Sequence, residues 1–336
     1  MAFKIGIPRA LYYHKFYPLW HTFFTELGAE VVLSPVTDRN ILKRGSDATL
    51  DEFCLPIKVF FGHINAILKK VDFLFIPRLI STEKETYYCP QFFGLPDMVR
   101  VAFPDSPPIL EPTFNVKGKG TAVEDTFIEL GKSILKGKRE SLSAYKKALD
   151  AQAGFYSMVA EGTIPPDVYK KLYNSPMTSA KKEKGCSRTG SQTTIALLGH
   201  PYNIYDPLVS MNISKKLTDM NIRLITTEMV SDDIVDAEMK RLRKPVYWAS
   251  GREIVGAANH FLDSKGVDGI IFIGAFHCGP DSLLKALIER EAQSSDKTPL
   301  LSLSFDEHSG EAGMITRLEA FFDMLEIKKR RGLTAS

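Results

Sequence analysis

The chain has 336 residues, 44% hydrophobic and 25% charged, which is the composition of an ordinary soluble globular protein and is long enough for two α/β lobes. Its 43 lysines and arginines nearly balance 40 acidic residues, for a formal charge of +3, so composition argues against nucleic-acid binding. No apolar run approaches the ~18 residues that span a bilayer, and the N-terminus lacks the basic and apolar regions of a secretory signal. No membrane association is therefore expected, and the expected location is cytoplasmic, where thiols stay reduced.

In chain order, residues 3–8 read as an apolar strand. Residues 14–27 read as a helix with an apolar face at Phe16, Leu19, Trp20, Phe23, Phe24 and Leu27, and Gly28 is placed to stop it. Residues 29–33 are a β-branched strand. Residues 52–70 have helical spacing at Val59, Phe60, His63, Ile64 and Leu68, and residues 71–77 form a short apolar strand. Residues 121–161 read as amphipathic helix, and the polar stretch 175–192 as an exposed linker. The order then repeats: a strand at 194–199, a helix at 207–220, a strand at 222–226, a helix at 253–265 and a buried strand at 267–274. A strand at 300–304 and a helix at 311–327 follow, and the basic run at 328–331 reads as a solvated helix end.

Strands alternating with helices predict an α/β protein with parallel sheets covered on both faces. The expected organisation is a Rossmann-like, doubly wound lobe over residues 1–115, a helical connection and linker over 116–192, and a second such lobe over 193–330. Both halves carry Val-Asp, an apolar strand, and then a cysteine followed by proline, which reads as a weak internal duplication.

Reduced cysteines are metal ligands, catalytic thiols or inert core residues. Three of the four have proline one or two positions on: Cys54-Leu55-Pro56, Cys89-Pro90 and Cys278-Gly279-Pro280. Cys186 does not, and it lies in the linker. Proline fits the first turn of a helix, where its missing N–H costs nothing, so Cys54 and Cys278 are expected at helix N-termini. Backbone N–H groups there stabilise thiolates. Cys278 also follows the carboxyl end of a buried strand, where open α/β sheets bind ligands. The close cysteine pairs of structural zinc sites are missing. Three thiolates from two lobes instead point to an oxygen-sensitive 4Fe–4S cluster with one open iron, able to bind a substrate oxygen or water. The alternative is a non-redox, two-lobed small-metabolite binding protein whose cysteines are buried or bind zinc.

Further candidates lie at the expected cleft. His200, Tyr202 and Asn203 follow the strand at 194–199, and Arg9 holds the equivalent place in the first half. Asp306, Glu307 and His308 follow the last strand. Glu83 and Glu85 precede Cys89. His200, His308, Glu83 and Glu85 are the acid/base candidates. Arg9, Tyr202, Asn203, Asp306 and Glu307 are supporting polar residues around the cluster. Tight turns, helix capping and a solvated loop are the competing explanations. Tyr12, Tyr13, Phe16, Tyr17 and Trp20 read as core and rim packing.

Several phrases together resemble a known group: Lys4-Ile5-Gly6-Ile7-Pro8-Arg9-Ala10-Leu11, Glu52-Phe53-Cys54-Leu55-Pro56-Ile57-Lys58, Tyr88-Cys89-Pro90, Gly199-His200-Pro201-Tyr202-Asn203, His277-Cys278-Gly279-Pro280-Asp281-Ser282 and Asp306-Glu307-His308-Ser309-Gly310-Glu311. They resemble acyl-CoA dehydratase activase-related proteins, relatives of 2-hydroxyglutaryl-CoA dehydratase and benzoyl-CoA reductase subunits and of double-cubane cluster proteins. The resemblance implies paired Rossmann-like lobes with Cys54, Cys89 and Cys278 as ligands of a 4Fe–4S cluster, or of a larger cluster shared across chains. It implies a homo- or heterodimer. It also implies a separate activator ATPase of the acetate/sugar kinase/Hsc70/actin type, carrying its own 4Fe–4S cluster, which drives a low-potential electron into this chain. The implied system is a reductase or 2-hydroxyacyl-CoA dehydratase acting on an acyl-CoA or other small molecule by radical chemistry.

Overall fold

The structure is a computed structural model, and it describes residues 2–83, 85–117, 120–173, 192–264, 266–294 and 298–334. Cys186 and the expected linker up to residue 191 lie outside the described residues. The first lobe runs β1 (Lys4–Ile7), α1 (Tyr13–Glu26), β2 (Glu30–Leu33), α2 (Arg39–Asp47), α3 (Leu55–Ile67), β3 (Phe73–Phe75), β4 (Arg78–Ser81), α4 (Pro90–Ala102), β5 (Ile109–Leu110) and β6 (Thr113–Asn115). The connection contains α5 (Val123–Ser133), α6 (Lys138–Ala160) and α7 (Pro165–Tyr173). The second lobe runs β7 (Thr194–Gly199), α8 (Pro201–Tyr205), α9 (Ile213–Asp219), β8 (Arg223–Thr226), α10 (Asp232–Arg241), α11 (Ala249–Asp263), β9 (Gly269–Ala275), α12 (Gly279–Ser294), β10 (Leu300–Phe305) and α13 (Glu311–Thr334).

Two four-stranded parallel sheets result, ordered β2-β1-β3-β5 and β10-β9-β7-β8, and β4 pairs with β6 separately. Counted within each sheet, both have the order 2-1-3-4. The chain reverses direction across the sheet between the first and third strands, and ligands of open α/β sheets bind at the carboxyl ends there. The shared Val-Asp phrase has a structural role in both lobes. The Asp72 carboxylate accepts the Lys4 N–H at 2.7 Å, and the Asp72 N–H returns to the Lys4 carbonyl at 2.9 Å. Asp268 makes the same exchange with Thr194, at 2.7 and 2.8 Å. Each aspartate sets where the third strand starts against the first.

Period-two alternation covers both faces of the second sheet. Ile195 and Leu197 of β7 join Leu217 of α9 and Leu318 and Phe321 of α13. Ala196 and Leu198 point the other way, toward Ile254 and Ala258 of α11 and Leu284 of α12. In the first lobe, α6 lies along α1 and repairs it. Pro18 sits inside α1, and beside it the side-chain amide of Gln152 accepts the Leu19 N–H at 3.1 Å and donates to the Lys15 carbonyl at 2.9 Å. These are the partners that a helix would ordinarily join directly, so Gln152 replaces the rung broken next to the proline. α2 and α3 pack backbone to backbone. A Cβ on Gly62 would lie 1.9 Å from the Ile41 carbonyl oxygen, and one on Gly45 only 1.7 Å from that of Lys58.

The expected helix over 207–220 is corrected. A short helix starts earlier, at Pro201, and α9 starts only after Met211 and Asn212, both with φ near the left-handed region (50° and 55°). The expected helix over 121–161 is two helices, separated at Leu135 (φ 62°) and Gly137. Helices α2, α4, α7 and α10 were not anticipated. Among the described residues no helix is long and apolar enough to cross a membrane.

Candidate functional site

The three proline-flanked cysteines come together. Cys54 is the N-cap of α3 with Pro56 in the first turn, and Cys89 is the N-cap of α4 with Pro90 at the first position. Cys278 immediately precedes α12, and its carbonyl accepts the Ser282 N–H at 3.0 Å, the first bond of that helix. All three cysteines are half-buried and unbridged. They line one small cavity between the lobes, walled by Tyr12, Tyr88, Phe92, Tyr202 and Trp248. Cys54 and Cys89 belong to the first lobe and Cys278 to the second, at the carboxyl end of β9.

The thiols interact. The interaction between the Cys54 and Cys278 thiols lowers the pKa of Cys54 and raises that of Cys278, so the pair gives up its first proton more readily than its second. Burial pushes the Cys89 thiol up. The backbone N–H groups of Ile57, Gln91 and Asp281 face the three sulfurs and favour their ionised forms. At Cys54 and Cys89 the approach is looser than a formed capping hydrogen bond.

Around this cavity the lobes are tied by polar contacts. Tyr12 Oη and Ser250 Oγ lie 2.8 Å apart, and Lys15 pairs with Glu253 at 2.5 Å. Lys58, in the first turn of the Cys54 helix, pairs with Glu307, and Thr37 donates to Asp206. Tyr87 exchanges backbone hydrogen bonds with Tyr247 and Ala249, at 2.7 and 2.9 Å. Trp248 lines both the cysteine cavity and a large open cleft of about 1320 Å³, bordered by Arg243, Lys244, Tyr247 and Leu287.

The donor set can be compared with a cluster directly. The cavity holds about 30 Å³, room for about one water, and the Cys54 and Cys278 thiols are near enough to influence each other's ionisation. Among the described residues no three His, Cys, Asp or Glu side chains are gathered closely enough for a single metal ion. A cuboidal cluster places its thiolates on separate irons and needs wider spacing than a single ion does. Three thiols at three helix starts, drawn from both lobes, are the donor type that such a cluster takes, one sulfur to each iron. Two residues that line the cavity, Gln91 and His200, each carry a buried polar atom with no hydrogen-bond partner, Oε1 and Nδ1.

The other candidates separate into groups. His200 and Tyr202 line the cysteine cavity, their rings stacked 4.9 Å apart. Asn203 lies behind them, donating to Asp281 at 2.9 Å. Arg9 does not line this cavity; its charge instead acts on the buried His14 and His63, whose pKa values burial lowers to about 3. Asp306 caps its own turn, accepting the His308 N–H at 2.9 Å and the Ser309 hydroxyl at 2.8 Å. Glu307 reaches Lys58, and His308 is exposed. Glu83 and Glu85 are exposed and do not line the cavity; Glu83 lies 3.5 Å from Arg252. Sequence reasoning missed Ser250, Trp248 and Asp281. For Asp281 a signal existed, since it follows Cys278 by three residues within the Cys-Gly-Pro-Asp phrase. Trp248 and Ser250 come from a separate helix start that carries no cysteine or proline.

No curated protein matches the chain as a relative. The family model described as the CoA enzyme activase uncharacterised domain matches residues 4–230, which include Cys54, Cys89 and His200 and end before Cys278. With its first lobe, its connection and the start of its second lobe inside that match, the chain belongs to the CoA enzyme activase domain family.

Proposed function

We propose that this chain is an iron–sulfur component of an ATP-dependent CoA-enzyme system, holding a 4Fe–4S cluster on Cys54, Cys89 and Cys278. It would take one low-potential electron at a time from a separate activator ATPase carrying its own cluster, for radical dehydration or reduction of a 2-hydroxyacyl-CoA or related small molecule. The observation that carries this reading is the convergence of three cysteines, each at a helix start with proline in the first turn, on one cavity between two lobes. The family assignment supports the system in which it would act.

When bound, the cluster supplies storage and release of one electron. The protein's part follows from its own residues. The N–H groups of Ile57, Gln91 and Asp281 favour the thiolate form of the three sulfurs. The aromatic wall keeps water away and lowers the local dielectric. Contacts between the lobes, Lys58 with Glu307 and Tyr12 with Ser250, hold the two cysteines of one lobe opposite the third. The open cleft beside Trp248, with Arg243 and Lys244 on its border, offers an approach for an anionic substrate or partner.

The test is anaerobic purification of the full chain. About four irons and four sulfides per chain are expected, with a brown colour that fades on exposure to air. Serine at any one of Cys54, Cys89 or Cys278 should lower the iron content sharply. Colourless wild-type protein that binds no iron or sulfide on anaerobic reconstitution would overturn the reading. The family's description as an activase favours a second reading, in which the chain passes its electron on to a separate dehydratase. Reduction of the chain by an activator, without turnover of an acyl-CoA unless another subunit is added, would select that reading.

A further inference from the structure

His200 repeats the arrangement of the cysteines. It is the residue before a helix, α8, with Pro201 at the first helical position, and it follows β7, the first strand of its sheet. Cys278 follows β9, and β7 and β9 are adjacent parallel strands. The two residues therefore leave neighbouring strand ends, at the point where the sheet order reverses, and both line the same cavity.

Asp281 joins these two strand ends. One carboxylate oxygen, Oδ2, accepts Asn203 Nδ2 at 2.9 Å and the Ala275 N–H at 2.8 Å. The other, Oδ1, lies 3.0 Å from His200 Nε2. Asp281 is 3% exposed and His200 is 5% exposed, so water does not compete for this contact. Oδ1 is itself buried without a hydrogen-bond partner, so the contact is electrostatic, and it favours the tautomer with its proton on Nε2, which leaves the lone pair on Nδ1. Nδ1 is buried and has no hydrogen-bond partner. Stacking on Tyr202 holds the ring plane. A histidine with one nitrogen toward a carboxylate and the other unpartnered is the usual arrangement of a metal-ligating imidazole.

We propose that His200 Nδ1 is the fourth protein ligand of the cluster held by the three cysteines, so that its fourth iron is closed by imidazole. This inference rests on the proposed cluster. It makes the site an electron carrier with a three-cysteine, one-histidine ligand set, and any chemistry at the fourth iron would first require His200 to leave. Asp281 is then a positioning residue, acting through the His200 ring.

The experiment is pulsed electron paramagnetic resonance on the anaerobically reduced full chain, alongside iron and sulfide analysis. The wild type should show a strongly coupled nitrogen that changes when histidine is labelled with ¹⁵N. Replacing His200 by glutamine (H200Q) should abolish that coupling while iron and sulfide stay bound. H200C should retain the cluster, lose the coupling and have a lower reduction potential, because a charged thiolate replaces a neutral imidazole. H277Q, altering the exposed histidine beside Cys278, should leave the coupling unchanged. A wild type with about four irons and no histidine coupling would overturn the inference and leave the cluster reading standing. Coupling that persists in H200Q or H200C would also overturn it. A wild type without iron or sulfide would overturn the cluster reading itself, and the inference with it.

Discussion

The contact between Lys58 and Glu307 allows a quantitative test of how the lobes are held around the cysteines. The Lys58 side chain is 2% exposed and that of Glu307 is 23% exposed. The two partners are therefore not equivalent. In E307Q the Lys58 ammonium stays buried without a counter-charge. Removing one partner of a buried pair costs about 3–5 kcal/mol, and the remaining amide oxygen of glutamine puts this variant at about 3 kcal/mol. In K58M the left-over carboxylate can still reach water and methionine fills the vacated space, so the expected cost is about 1 kcal/mol. The double variant K58M/E307Q should cost about as much as K58M alone, which gives a coupling of about 2–3 kcal/mol. Urea unfolding under reducing conditions reads this out through the two tryptophans, Trp20 in the first lobe and Trp248 in the second. With a slope of about 3 kcal/mol per molar urea, E307Q should shift the midpoint by about 1 M. K58M as damaging as E307Q, or additive losses in the double variant, would refute the reasoning.

Three further outcomes are expected. Burial raises the Asp206 pKa from 3.8 to about 6 against the hydrogen bonds from Thr37, Val209 and Leu208. The fold therefore favours the protonated form; the associated stability is full below about pH 4 and is lost as pH rises through about 6, by about 3 kcal/mol at about 1.36 kcal/mol per unit. Wild-type stability relative to D206N should fall by about 2 kcal/mol between pH 4 and pH 7 in denaturant titrations, and a constant difference would contradict the assignment. Gly62→Ala should destabilise by about 1–3 kcal/mol because its Cβ would meet the Ile41 carbonyl at 1.9 Å, whereas Gly154→Ala on α6, with open space around it, should stabilise by about 0.5–1 kcal/mol. Thermal unfolding of the two variants checks whether the signs are opposite. Tyr12→Phe should cost about 1–2 kcal/mol by leaving the Ser250 hydroxyl buried without its partner at 2.8 Å, and adding Ser250→Ala should cost little more.

Much of the architecture was legible because parallel, doubly wound sheets require buried, near-continuous apolar strands. Residues 194–199 and 267–274 were readable as strands for that reason, and β7 and β9 occupy these places. The short elements were harder to read. β5 and β6 are two and three residues long, too short for a period to show. The helix expected over 207–220 misled because its apolar spacing says nothing of the left-handed backbone at Met211 and Asn212.

The three Cys-Pro phrases were visible in the sequence, because proline is restricted to the first turn of a helix and marks the residue before it as a cap. The convergence of the three caps was decided only by tertiary structure. Cys54 and Cys278 are 224 positions apart in the chain, and they share one cavity because the lobes pack with these helix starts on either side of it. The same packing separated candidates that looked alike in sequence. It placed His200 among the cysteines and His308 in solvent. It moved Arg9 toward His14 and His63, and it used Glu307 to neutralise a buried lysine. Local sequence sets backbone conformation through sterics over a few residues. Which polar side chains share a low-dielectric cavity depends on how the lobes pack, which no local pattern records.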